Sequence, residues 1–212
     1  MSKEEKRDFD AAAAAWDEKP ARLALAADIA AAMFRSLSLD ARVKALDFGC
    51  GTGLLTLALA PKVGSITGAD SSRGMLAVLE EKVRAGKHSN VRTLFLNPEA
   101  DVSLGGPYDL VTTAMTMHHI PDVPAQLEAF HACLAPGGAL CVADLDSDGG
   151  LFHDDPKGVF HEGFDREVMA KMFAEAGFAD IARATAAEVV RPGADGVVRS
   201  FSVFMVTGRK QV

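Results

Sequence analysis

The residues best equipped for chemistry lie in two stretches. In the first, Ala45-Leu46-Asp47-Phe48-Gly49-Cys50-Gly51-Thr52-Gly53-Leu54-Leu55, an apolar run meets three alternating glycines and then a second apolar run. Glycines between a strand and a helix let the backbone turn sharply and leave bare main chain for a ligand to lie against. About twenty residues on, Gly68-Ala69-Asp70 ends another apolar run with an acid. A carboxylate at that edge accepts from both hydroxyls of a ribose, which suits an adenosine ligand. Leu54 stands where a dinucleotide fingerprint needs its third glycine, and the Lys-Ser/Thr of a phosphate-binding loop is missing, so a pyrophosphate is disfavoured.

The second stretch supplies bases. Four of the six histidines, His118, His119, His153 and His161, fall where loops would meet such a ligand. An imidazole there can take a proton near neutral pH. Asp144 to Asp155 follows a strand, and with the Phe152-His153 and Phe160-His161 pairs it is expected to wall a substrate pocket, His153 or His161 being the general base and His119 a further candidate. Asp144, Asp146, Asp148, Gly149 and Asp155 match the spacing of a calcium loop, but the twelfth residue is not Glu and the run follows a strand, so no metal is expected. Cys50, Cys133 and Cys141 are odd in number and lack C-x-x-C, which argues against disulfides and zinc.

These groups need a scaffold. The alanine-rich stretch 4–39 favours helix and breaks at Pro20, which opens a second helix. Beyond it, strands are expected at 43–48, 63–70, 91–96, 108–114 and 139–144. Helices are expected at 54–60, 71–83 (capped by Ser71 or Ser72), 123–134 and 166–176. Pro136-Gly137-Gly138 reads as a turn between the 123–134 helix and the next strand. Runs near 180–191 and 199–208, joined by Pro192-Gly193 and Asp195-Gly196, read as a closing hairpin. Strands alternating with helices imply a doubly wound, mostly parallel α/β sheet.

Composition sets outer bounds. A chain of 212 residues supports one core, and a net charge of −7 argues against binding a phosphate backbone. No apolar run approaches the ~18–20 residues that span a bilayer. The opening MSKEEKRDFD lacks the apolar centre of a secretory leader. The expectation is a single-domain cytoplasmic protein with neither nucleic acid nor membrane as partner.

In combination, LDFGCGTG, the GAD at the second strand end, YDLVTTAMTMHHIPD and LAPGGALCVADLD resemble the successive motifs of class I S-adenosylmethionine-dependent methyltransferases of the small-molecule, ubiquinone-biosynthesis-like type. The resemblance implies a Rossmann-like seven-stranded sheet in order 3-2-1-4-5-7-6, its last strand antiparallel, with S-adenosylmethionine as cofactor and a small molecule as methyl acceptor. It assigns the methionine end of the cofactor to Asp47 and the backbone of Gly49, with Cys50 inside the loop, and space for the sugar to Gly51 and Gly53. Asp70 would bind the ribose, and Ser71 and Met75 would flank the adenine. Where the family often has an Asp facing the adenine amino group, this chain has Asn97-Pro98-Glu99. The backbone of Thr113, Ala114 and Met115 would face the sulfonium. Phe9-Asp10, Ala13 and Trp16-Asp17 resemble the F-D-x-x-A-x-x-W/Y-D entrance helix of small-molecule methyltransferases. Residues 1–40 are therefore expected to form a helical lid on a 41–212 domain, with Trp16 over the cofactor. The absence of an [Asp/Asn/Ser]-Pro-Pro-aromatic tetrapeptide disfavours methylation of nucleic-acid bases. The rival readings are a non-catalytic S-adenosylmethionine-binding regulator, a nicotinamide oxidoreductase and a protein or RNA methyltransferase.

Overall fold

The computed structural model describes residues 7–97 and 103–212. Seven apolar runs become strands: β1 (Lys44–Phe48), β2 (Ser65–Asp70), β3 (Val91–Phe95), β4 (Tyr108–Ala114), β5 (Leu134–Leu145), β6 (Phe178–Pro192) and β7 (Val198–Lys210). They form one sheet in the order β3-β2-β1-β4-β5-β7-β6. The first five pair in parallel, and β7 runs antiparallel to both β5 and β6. Helices α1 (Phe9–Ala12), α2 (Pro20–Ser36), α3 (Leu54–Leu59), α4 (Arg73–Gly86), α5 (Val123–Cys133) and α6 (Arg166–Glu175) surround it.

The central strands are apolar throughout because both faces are covered. On one face Ile29, Met33, Leu59, Ile66 and Leu110 pack together. On the other, Leu46, Val111, Leu127, Phe130, Phe173 and Phe204 do. This sandwich fixes the carboxyl ends of β1, β2, β4 and β5 as one rim, where ligands sit in open α/β sheets. No helix among the described residues is long and apolar enough to cross a membrane.

Two local expectations need correction. Pro136-Gly137-Gly138 is no turn ahead of β5 but a bulge inside it. Tyr108 pairs with Leu134 and Leu110 with Ala139, so the intervening residues of β5 loop out of register. Proline has no N–H for the ladder, and Gly137 at φ 77° takes a bend that a side chain resists. The alanine tract is also not one regular helix: α1 ends at Ala12, and Ala13–Glu18 continues as a tighter 3-10 turn. Lys19 is then extended (φ −89°, ψ 108°), as the proline after it demands.

The expected lid divides at that proline. Ile29, Ala30, Ala32 and Met33 of α2 are buried, and the Thr112 hydroxyl lies 3.4 Å from the Met33 sulfur. Helix α2 is therefore a layer of the core, while Phe9–Glu18 lies against the glycine loop and the head of α4.

Candidate functional site

The three glycines of the loop after β1 all adopt positive φ, at 70°, 54° and 81° for Gly49, Gly51 and Gly53. Their surroundings differ. A Cβ at Gly49 would strike the Thr116 side chain at 2.3 Å, and one at Gly53 would strike Leu79 Cδ1 at 2.2 Å. The space that Gly53 was expected to leave for a sugar is filled by Leu79, so its bare backbone serves packing. Gly51 alone faces open space, with Met75 Sδ 4.0 Å from its absent Cβ.

Asp70 closes the other side of this cradle. Its Oδ2 accepts from the Gly51 N–H and its Oδ1 from the Ser72 N–H, each at 2.8 Å. Burial raises its pKa against these donors. Asp47 lies beneath the loop, fully buried, accepting from the Thr56 hydroxyl at 2.5 Å, and burial pushes it up to about 7. The Cys50 thiol is buried and pushed up by burial and by Asp47. Ser72, rather than Ser71, caps α4 by accepting from the Met75 N–H. Asn97 is exposed just past β3, whereas Pro98 and Glu99 lie outside the described residues.

The covering segment is fastened by its two motif acids. Asp10 accepts from the Ser72 hydroxyl at 2.5 Å and from the Gly74 N–H at 2.7 Å, at the head of α4, where the free amide groups favour an anion. Asp17 accepts from the Thr52 hydroxyl at 2.7 Å and pairs with Lys82, whose ammonium also donates to the Thr52 carbonyl. These anchors hold Phe9 and Trp16 edge to face at 5.9 Å, with Phe9 5.3 Å from the His119 ring.

His119 belongs to a three-histidine group. Its ring centre lies 4.2 Å from His118 and 6.0 Å from His153, and His118 and His153 are 4.8 Å apart. His119 Nδ1 donates to the Gly158 carbonyl at 2.6 Å, which leaves Nε2 as the proton-accepting nitrogen. Burial and the adjacent His118 push its pKa down to about 4. His153 is likewise pushed down to about 4 by burial and both neighbouring rings, and its Nε2 is buried without a partner among the described residues. His118 is different: buried, it donates from Nδ1 to Asp144 at 2.6 Å. Asp144 also takes the Leu145 N–H at 2.7 Å. Burial alone would raise Asp144, but His118 and these donors hold it below the usual carboxylate range.

His161 does not join this group. Its Nε2 donates to the Ile120 carbonyl at 2.9 Å, its ring lies against Phe164, and it faces a cleft between α5 and α6. The calcium-like run is spent residue by residue. Asp144 serves His118, Asp146 holds the Arg166 guanidinium through two bonds of 2.6 Å, and Asp148 accepts from the N–H groups of Gly150 and Phe152. At the end of β4, Thr113 is buried with its hydroxyl unpartnered among the described residues, Ala114 is half-buried, and Met115 sits at φ 53°. A non-glycine residue at positive φ is strained, and such strain gathers at functional sites.

Sequence reasoning missed the His118–Asp144 pair, and it quoted Asp10 and Asp17 in the entrance-helix resemblance without the contacts that fasten them. It also passed over Arg7, Arg22 and Arg191, whose guanidinium carbons lie over aromatic rings of this region: Arg7 5.6 Å from Phe9, Arg22 3.6 Å from Trp16, Arg191 5.0 Å from Phe152.

A family profile described as a methyltransferase domain matches residues 12–183. The biotin biosynthesis bifunctional protein BioCD of Bordetella avium is 38% identical over 144 residues, covering 65% of this chain and 29% of that protein. Demethylmenaquinone methyltransferase of Shouchella clausii is 36% identical over 109 residues, covering 50% of this chain and 46% of that protein. The matched region thus spans less than half the length of these curated relatives. Among solved structures, the putative methyltransferase in complex with the Trm112 methyltransferase activator of Haloferax volcanii superposes with a TM-score of 0.73 at 19% identity, over 97% of this chain and 99% of that one.

Proposed function

The chain belongs to the methyltransferase family, and on that premise we propose that it transfers a methyl group from S-adenosylmethionine to a small-molecule acceptor. The observation that carries this reading is the open cradle at Gly51, bounded by Asp70 and Met75 and roofed by a segment pinned to its walls. The names of the relatives, which concern a quinone precursor and biotin synthesis, favour a small acceptor.

S-adenosylmethionine supplies the electrophilic methyl group and departs as S-adenosylhomocysteine. What this chain contributes is position and proton handling, since an in-line displacement needs alignment more than covalent help. Asp70 keeps lone pairs for the ribose hydroxyls beyond the two amides it already holds. Asp47 and the Gly49 backbone would hold the methionine end, Ser71 and Met75 would flank the adenine, and Asn97 or Glu99 would accept from its amino group. The backbone of Thr113–Met115 would face the cofactor's sulfonium. Phe9 and Trp16 exclude water, so that residues 9–18 are the lid of a single catalytic domain. His119, fixed through Nδ1 and neutral above pH ~5, takes the acceptor's proton at Nε2, and His153 offers a second polar contact to the acceptor.

Thermal unfolding with S-adenosylhomocysteine, beside NADH and ATP, tests the premise. At about 100 times the dissociation constant the ligand stabilises by ~2.7 kcal/mol, a rise of roughly 5–10 °C for a chain of this size. A rise with S-adenosylhomocysteine alone is expected, and no shift at saturation would remove the cofactor assignment.

A further inference from the structure

Three cationic side chains from three separate parts of the chain come together where the acceptor would enter. Arg7 precedes the lid, Arg22 lies in the first turn of α2, and Arg191 is carried in by the β6–β7 hairpin. The hairpin reaches this place because its tip docks on the loop after β5. Ala194 N–H donates to the Leu151 carbonyl at 2.7 Å, and Phe201 packs edge to face on Phe152 at 5.3 Å. Between the guanidiniums runs a chain of rings: Trp16, Phe9, His119, His153 and Phe152, with Phe152 5.1 Å from His153.

A protein of net charge −7 has little reason to gather arginines on its own account. Burial and repulsion from Arg7 and Arg191 push Arg22 down, against the pull of Asp17. The acids at hand are otherwise engaged or weakly held. Asp17 is taken up by Thr52 and Lys82, and Asp154 meets Arg191 in a solvent-exposed pair that contributes little. Arg7 has no acidic partner among the described residues. Arg191 is paired with Asp154 at 2.8 Å and Arg22 donates to the Trp16 carbonyl at 2.9 Å, but with Arg7 lacking an acid the three guanidiniums beside flat rings still form a receptor for a planar group carrying an oxyanion.

We propose that Arg7, Arg22 and Arg191 select an acceptor that is planar and bears a carboxylate or phosphate. This assignment rests on the methyltransferase reading for the word acceptor, but the anion site stands on its own geometry. The cofactor's methionine carboxylate is an alternative source of the same charge, so the test separates the two.

Trp16 is the one tryptophan of the chain, and Arg22 lies on its ring, so its fluorescence reports directly on the site. The protein, saturated with S-adenosylhomocysteine, is titrated with benzoate, phenyl phosphate and the neutral isostere benzamide. The expected result is saturable binding of at least one anion about tenfold or more tighter than benzamide, with the stronger of benzoate and phenyl phosphate naming the oxyanion. Binding should weaken by about tenfold in Arg7→Gln/Arg191→Gln and recover partly in Arg7→Lys/Arg191→Lys. Equal response to benzoate, phenyl phosphate and benzamide overturns the proposal. So does anion binding that S-adenosylhomocysteine abolishes, which would give the arginines to the cofactor. Anion binding in a protein that ignores S-adenosylhomocysteine would instead sink the methyltransferase reading and leave the anion site in place.

Discussion

The glycine-loop side and the histidine side of the rim are built on different plans. The first is a short contiguous unit, β1 to the head of α4, in which backbone amides and Asp70 face a glycine cradle and Asp47 lies buried beneath it. The second draws side chains from the lid, the turn at residues 117–119, the loop after β5 and the distant hairpin. Their ionisation is opposite in chemistry and alike in outcome. Burial lifts Asp47 to about 7 and raises Asp70, while it drives His119 and His153 down to about 4. Burial disfavours charge of either sign, and only a dedicated partner reverses it, as His118 does for Asp144.

The comparison breaks most visibly at that pair. His118→Ala leaves the Asp144 carboxylate buried and unpaired, and a loss of ~3–5 kcal/mol is expected in denaturant unfolding. Because Asp144 is held below its ordinary value, the stability it contributes is present at neutral pH and fades only as acid protonates it. The glycines come next. Gly49→Ala and Gly53→Ala meet occupied space and should each cost about 3 kcal/mol, whereas Gly51→Ala meets only backbone strain of about 1–2 kcal/mol. Gly51→Ala should nonetheless weaken S-adenosylhomocysteine by about tenfold or more in calorimetry, and unchanged affinity would take the ligand away from that cradle.

The pH dependence sharpens the contrast further. His119 and His153 titrate at 6.5 when unfolded and about 4 when folded, so the unfolded chain binds more protons between these values. Stability therefore rises with pH across that window, by on the order of 2–4 kcal/mol for the pair after allowance for their partial exposure. Asp47 has the opposite sign: its folded value of about 7 makes stability fall as pH rises from 4 toward 7. Asp47→Asn should steepen the rise, and replacing both histidines by Ala should invert it. The smallest effect belongs to residues 9–18, where Asp10→Ala removes the acceptor of the Ser72 hydroxyl and the Gly74 N–H at the head of α4 and should cost ~1 kcal/mol.

Much of the scaffold was legible because a strand covered on both faces must be an apolar run, and the order of runs and turns follows. Pro136-Gly137-Gly138 misled because proline and glycine mark a bulge and a turn alike, and only the pairing of Tyr108 and Leu110 tells them apart. The three loop glycines look equivalent in sequence, yet Thr116 and Leu79 fill the space at two of them. His118 and His119 are adjacent in the chain and face different partners, because the turn at residues 117–119 sends one ring to Asp144 and the other to Gly158. The arginines left no local pattern at all, since folding alone brings residues 7, 22 and 191 to different rings of one connected chain of rings.

The fasteners of the lid have a temporal consequence. Asp17 is tied to Thr52, in the glycine loop itself, and Asp10 to Ser72 and Gly74, beside Asp70. We expect a ligand of the cradle to enter before both ties are made and to leave only after they part. In the methyltransferase reading that dictates a compulsory order, with the nucleoside first on and last off. Steady-state inhibition by S-adenosylhomocysteine should then be competitive against S-adenosylmethionine alone, and turnover should be limited by the unfastening of two carboxylates.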